Sequence, residues 1–367
     1  MSDSTVQATP QVGSRWSPEQ AAQYASRGIA GAAAIFVLVW VLFWAPKTTY
    51  GSAVSDPTDF FKTFLDSITF AGLLFVVASG FTLIFGLMRV VNMAQGSFFL
   101  LGGYIAYKLQ QNFAHGGGFG LVSSQVSMWQ WVLPAVIAAG CVAVVGLGIQ
   151  QAFLRWNQGQ DLRQALITIA ISIILADQML AHFNAGNAQS ISWPGTLDRF
   201  VSLGFGGIQY SLARLFMLAV AIVVGVLLWL WLQKTRTGMV IRAGVDDRQM
   251  VSGLGVNIQL TFALAFFVGA GLAGFGGVMG GSFAGLQIDV GGQWLLNCLV
   301  VVIIGGMGSL AGAAVGAILY AFVFNFSAIY LPTTSGNCCT EYSVVFTFAL
   351  LALVLAFRPQ GLLGKAG

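Results

Sequence analysis

Residues 63–88 read TFLDSITFAGLLFVVASGFTLIFGLM. One charge, Asp66, stands near the start, and from Ser67 to Met88 there is none. As a helix rising about 1.5 Å per residue, this run is long enough to cross ~30 Å of hydrocarbon. Working outward, apolar runs bounded by polar, Gly or Pro residues recur at 28–46, 91–109, 131–153, 163–183, 212–232, 260–281, 293–306, 309–330 and 342–357. The composition agrees: 57% of residues are hydrophobic and 8% charged, with a mean hydropathy of +0.82. A soluble domain carries about a quarter charged residues, so a water-facing surface cannot be built from this chain. The expected fold is an all-α, polytopic transmembrane helix bundle of about ten membrane segments, because a lone segment in lipid must satisfy its backbone polar groups internally.

Two segments depart from the pattern. The stretch at 91–109 begins with Asn92, Gln95, Gly96 and Ser97, and the one at 293–306 is short and runs into Gly305, Gly306 and Gly308. Both read as Gly-broken or re-entrant helices, which puts the number of crossings at eight to ten. With the N-terminus inside, the basic residues Arg15, Arg27, Arg89, Arg155, Arg163, Lys234, Arg236, Arg242, Arg248, Arg358 and Lys365 fall on the inner side. Lys47, Lys62, Lys108, Arg199 and Arg214 fall outside, a bias that predicts both termini in the cytoplasm. Residues 1–60 divide off as a polar tail plus one extra transmembrane helix, and residues 61–367 hold the rest. The start lacks the short basic region of a signal peptide, so its helix is expected to be retained. No internal repeat is legible beyond a weak likeness between the Gly-rich stretches at 80–103 and 269–285.

Little in the chain suits bond-breaking chemistry. There is no phosphate-cradling Gly-x-x-x-x-Gly-Lys-Ser/Thr motif, and His115 and His182 have no partner at metal-ligand spacing, so neither ATP hydrolysis nor a metal site is expected. No basic run suits a nucleic acid. Cys141 and Cys298 read as small buried hydrophobes, and the adjacent Cys338 and Cys339 close only a strained ring. Asp66 and Asp177 are the intramembrane charges to weigh, either as proton-coupling groups or as hydrated helix ends. The 47 glycines include Gly308, Gly312 and Gly316 at four-residue spacing and the pair Gly276 and Gly280, which read as close helix-packing faces.

The inside loop TRTGMVIRAGVDDRQMVSGLGVNIQL, 235–260, holds the densest charge. Ile241, Val245 and Met250 line one apolar side of a short helix, Asp246 and Asp247 precede its body, and Gly253 and Gly255 stop it. It reads either as a docking helix for a cytoplasmic partner or as a solvated connection.

Three stretches together resemble the permease family that serves binding-protein-dependent ABC importers of branched-chain amino acids and urea. They are GFTLIFGLMRVVNMAQGSFFLLGGYIAY at 80–107, the inside loop, and VVIIGGMGSLAGAAVGAIL at 301–319 with the terminal FRPQGLLG at 357–364. The likeness covers 61–364. Gln95 and Ser97 stand where a His and an acidic residue are common in the family, and residues 1–59 are an addition to it.

The resemblance implies an importer permease domain over 61–367 in a bacterial inner membrane. Its partners would be a second homologous permease subunit (LivM-like), two cytoplasmic ABC ATPases carrying ATP and Mg, an external solute-binding protein, and lipid. The chain itself would bind no cofactor. Branched-chain or other hydrophobic amino acids are the expected cargo, with urea, short amides or small carboxylates as the alternative; a stand-alone channel or proton-coupled carrier is the remoter reading. Arg242, Val245, Asp246, Asp247, Arg248, Met250, Leu254 and Gly255 would couple to the ATPase. Asn92, Gln95, Ser97, Gln293 and Asn297 would line the solute path, or else bond helix to helix.

Overall fold

The computed structural model describes residues 57–88, 91–114, 126–157, 160–183, 188–202, 209–246, 248–253, 257–330 and 340–364. The expected helix at 28–46, His115, Asp247, Leu254, Gly255, Cys338 and Cys339 lie outside them. The described residues are overwhelmingly helical: α1 (Pro57–Met88), α2 (Gln95–Ala114), α3 (Met128–Ile149), α4 (Asp161–Phe183), α5 (Leu212–Lys234), α6 (Arg236–Asp246), α7 (Arg248–Gly253), α8 (Ile258–Phe283), α9 (Val290–Gly305), α10 (Leu310–Tyr330) and α11 (Thr340–Phe357). A π-helical turn, Gln150–Leu154, and a 3-10 turn, Arg155–Asn157, extend α3. The one sheet among the described residues is a small antiparallel pair, β1 (Phe200–Ser202) with β2 (Gln209–Ser211).

Six of these helices are long and apolar enough to cross a membrane, and α9 and α11 are shorter apolar helices. At 16 residues α9 spans about 24 Å, short of a full crossing, as its glycine-ended sequence predicts. The polar start of α2 also has a physical reason: Phe98, Phe99 and Tyr104 are fully buried along it, so protein rather than lipid surrounds this helix.

Burial sorts the helices. In α1 and α8, 78% and 67% of the apolar window is buried, against 17% in α4 and α5. The two central helices run antiparallel, with Phe70 stacked on Phe283 and Gly276 over Val77. They cross at Gly80 and Gly269, where a Cβ on Gly80 would lie 2.5 Å from the Gly269 carbonyl oxygen and one on Gly269 would lie 2.7 Å from the Gly80 oxygen. Only residues without a side chain permit that approach.

The reciprocity extends outward. Exchange α1–α4 for α8–α11, and most of the major packing pairs turn into others that are also present; α10–α11 does not, since α4 meets α3 chiefly at its π-helical extension. The α1–α10 contact becomes α8–α3, α2–α3 becomes α9–α10, α2–α4 becomes α9–α11, and α2–α8 becomes α9–α1. The bundle therefore contains an inverted repeat about the α1–α8 crossing, of which the sequence shows only the weak likeness of 80–103 to 269–285.

Alternation of the helices brings two sets of connections to opposite ends. With the ends named after the orientation expected from the charge bias, the inner end carries α6, α7, the α9–α10 turn and the C-terminal tail. The outer end carries 188–202, 209–211 and the α8–α9 turn, where Gln189 and Leu286 form a bridge.

Candidate functional site

Three features gather the polar groups of this apolar chain. The first is a seam at the start of α2. Residues 91–94 make a turn in which the Asn92 side-chain oxygen accepts from the Ala94 N–H at 3.1 Å, and the Met93 N–H donates to Thr168 Oγ1 of α4 at 3.2 Å. Gln95 Nε2 donates to the Gly269 carbonyl of α8 at 3.4 Å, and the Ser97 and Ser172 hydroxyls lie 2.8 Å apart. All three sequence candidates on this stretch are buried.

The other two candidates lie on α9. Asn297 accepts from the Tyr320 hydroxyl of α10 at 2.8 Å, while Gln293 is exposed. The first turns of α2 and α9 pack against each other, Gly96 against the Gly291 carbonyl, so the five residues flank one central junction. Several buried amide atoms have no partner among the described residues: Asn92 Nδ2, Gln95 Oε1, both of Gln150 and Gln164 Oε1. Gln150, in the π-helical turn, and Gln164 were not picked out from sequence. The available signal was an amide inside an apolar run, which costs a few kcal/mol unless it finds a partner.

The second feature lies at the outer end. The Arg214 guanidinium of α5 donates to Asp66 Oδ1 of α1, and the Tyr210 hydroxyl donates to the same oxygen at 2.9 Å. Thr69 Oγ1 lies 3.0 Å from the Tyr210 hydroxyl, and Arg214 stands 5.4 Å from the centre of the Phe283 ring. Burial pushes the Tyr210 phenol up to about 12. The Thr69 hydrogen bond pulls it down, and the Asp66 carboxylate pushes it further up. Asp66 thus has a cation for a partner, whereas Asp177 is exposed on α4. Arg214 could have been paired with Asp66 from sequence, since segment alternation puts both at one end. Among the described residues no group of three His, Cys, Asp or Glu is placed to hold a metal.

The third feature is the inner face. Where one helix was expected in the loop, two form: α6 ends at Asp246 and α7 starts at Arg248, so Asp246 closes the first helix instead of opening the body of one. Ile241 is buried, Gly244 faces Leu87 of α1, and the Arg242 guanidinium donates to Gln233 Oε1 at 2.8 Å. Met250, expected on the apolar side with Ile241, is 69% exposed. A small cleft separates α6 from α1 and the α9–α10 turn, lined by Ser79, Thr82, Ile241, Arg242 and Gly308.

The packing glycines divide. Gly276 meets Val77, Gly280 meets the Phe99 ring, Gly312 meets the Gly305 carbonyl and Gly316 meets the Val301 carbonyl, all at helix contacts. Gly308 instead lies in the turn ahead of α10 with φ +86°, and Gly306 has φ +107°; left-handed backbone of this kind suits glycine. The tail returns here, its Leu362 and Leu363 N–H groups donating to the Ile304 and Gly305 carbonyls at the end of α9 at 2.9 and 3.0 Å.

Helices of membrane-crossing length and apolarity, with buried amide seams between them, describe a multi-pass membrane protein. The chain belongs to the branched-chain amino acid transport system permease component family, whose sequence profile matches residues 63–355. It is 27% identical over 318 residues to the high-affinity branched-chain amino acid transport system permease protein LivH of Escherichia coli K12, covering 83% of this chain and 96% of that one. It is 28% identical over 309 residues to BraD of Pseudomonas aeruginosa, described in the same words, with the same coverage. The probable LivH permease of Methanocaldococcus jannaschii is 25% identical over 309 residues, covering 81% of this chain and 90% of that one. A solved structure, PsaBC from Streptococcus pneumoniae in complex with Fab, aligns over 79% of this chain and 90% of that chain with a TM-score of 0.42 and 8% identity. A permease of this family is a transport component and not an enzyme.

Proposed function

We propose that this chain is half of the membrane conduit of an ATP-driven importer for branched-chain or other hydrophobic amino acids. It acts in a bacterial inner membrane with both termini in the cytoplasm. A second homologous permease supplies the other half, an external binding protein delivers the solute, and two ATPases bind ATP and magnesium on their own subunits.

The observation that carries this reading is the family match over 63–355, together with relatives whose own names specify branched-chain amino acid transport. The inner face supports it mechanically. Ile241 anchors α6 and Gly244 abuts Leu87, so a push on α6 reaches α1 directly, while Met250 is 69% exposed on the same face. The solute passes a wall that is apolar except for a few amides, which suits an aliphatic side chain carried with a zwitterionic head.

The test is reconstitution in liposomes with a candidate second permease, ATPases and binding protein from the same organism. Leucine uptake is expected to require ATP and every subunit. Uptake by this chain alone would overturn the reading, and urea or carboxylate uptake without leucine uptake would overturn the cargo.

A further inference from the structure

The cleft between α6, α1 and the start of α10 plays no part in the solute path proposed above. It holds about 50 Å³, room for about four water molecules at roughly 10–15 Å³ apiece. Its lining sorts into three chemistries.

The first is positive. A guanidinium has five N–H groups, and that of Arg242 gives one to Gln233 Oε1 at 2.8 Å. Gly308 and Leu310 bring the start of the 21-residue α10 to the same cleft, where the helix dipole presents its positive end. No carboxylate is among the lining residues.

The second chemistry is hydrogen-bond acceptance. Ser79 and Thr82 are 1% and 3% exposed, and their hydroxyls donate to the Val76 and Ala78 carbonyls of their own helix, each at 2.7 Å. With its proton committed, each oxygen has only lone pairs to offer, which suits an ammonium. The third is aliphatic: Leu83, Leu232 and Ile241 complete the wall. A carboxylate, an ammonium and a branched hydrocarbon chain are thus all answered in one cleft. An inorganic anion would use only the first of the three chemistries.

We propose that this cleft is a second, inner-side site for the transported aliphatic amino acid, and that its occupancy slows import; the proposal rests on the importer reading above. The position supplies the mechanism. Ile241 both anchors α6 and forms a wall of the cleft, and three residues on Gly244 abuts Leu87. A solute lodged between α6 and the Ser79–Thr82 strip stands where a push on α6 is handed to α1. The site reads the cytoplasmic concentration of cargo and acts on the lever, not on the conduit.

Proteoliposomes carrying the full complex, with ATP sealed inside, provide the test. Unlabelled leucine is loaded into the lumen, which is then the cytoplasmic side. The initial rate of labelled leucine uptake is followed together with ATP hydrolysis. In the wild type, luminal leucine should lower both rates about fivefold or more, the size of a modest coupling between two sites. Ser79→Ala combined with Thr82→Val should import at the wild-type rate when the lumen is empty and lose most of the inhibition. Isopentylamine, which lacks the carboxylate and is supplied on both sides, and luminal inorganic phosphate should leave wild-type uptake unchanged. That analogue series decides the matter if the double variant does not assemble.

Undiminished inhibition in the double variant would put the block in the conduit and overturn the proposal. So would inhibition by isopentylamine or phosphate equal to that by leucine, or wild-type uptake indifferent to luminal leucine. A wild-type complex that imports no leucine at all would instead overturn the importer reading.

Discussion

At the outer end of the bundle Asp66, Tyr210 and Arg214 tie α1 to α5, and the Trp131 indole donates to Ser282 to tie α3 to α8. At the inner end α9 meets α10 through the backbones of Gly305 and Gly312, and the C-terminal tail bonds the end of α9 by main-chain hydrogen bonds. One end is held by side chains and the other by their absence. The outer end should therefore fail when atoms are removed, and the inner end when they are added. The same contrast suits the proposed roles: long side-chain ties brace an entrance, while close-packed backbones beside exposed Met250 and Met307 can transmit a push.

The largest expected effect comes from adding a side chain at the inner end. Gly305→Val drives a Cβ into the Gly312 carbonyl, a backbone obstacle that cannot rotate away, and should cost about 3 kcal/mol or more. Denaturant titration in detergent measures it, and a loss below 1 kcal/mol would break the contrast. Next is Arg214→Ala, which strands the half-buried Asp66 carboxylate. The pair is partly screened by solvent, so the expected loss is about 2 kcal/mol, between exposed and buried ion pairs. Adding Asp66→Asn should recover part of that loss; no recovery would show that the ion pair is not the tie.

Tyr210→Phe should cost about 1 kcal/mol at neutral pH through its hydrogen bonds. It also sharpens the picture at alkaline pH. The folded phenol titrates at about 12 and the unfolded one at 10.0, so the neutral form is favoured by folding. That stability is fully present below pH 10 and lost as pH rises through 12. The wild-type protein should lose more stability than Tyr210→Phe over that window; parallel curves would contradict it. The smallest effect on stability belongs to Met250→Asp, within about 0.5 kcal/mol, because the side chain is largely in solvent. ATP-driven uptake should nevertheless fall about tenfold, the size of one lost anchor contact at an interface.

Much of this architecture was legible one segment at a time. The run at 63–88 appears within α1, the short run at 293–306 within the 16-residue α9, and the polar start at Asn92 as a turn ahead of α2. These features are local: length, hydropathy and glycine act within a few turns of helix. The break of the inner loop into α6 and α7 was missed, since two short helices and one long one share the same apolar spacing. Of the inverted repeat, only the weak likeness of 80–103 to 269–285 was legible. Exchange symmetry preserves which helices touch and where backbones approach, and at Gly80 and Gly269 it needs only the lack of a side chain.

For the candidate site, sequence picked residue types and structure decided their company. Buried amides were recognised at Asn92 and Gln95 because a polar group in an apolar run is costly, but that Thr168 and Gly269 would answer them depends on residues far along the chain. By itself, the sequence determined that lipid is the solvent, that helices are the elements, where most of them start and stop, and which family the motifs resemble. Only the tertiary structure decided that α1 and α8 form the centre and that Asp66 has Arg214 for its partner. Hydropathy is a sum over neighbours in the chain, whereas pairing across a bundle is set by shape, at approaches as close as one missing Cβ.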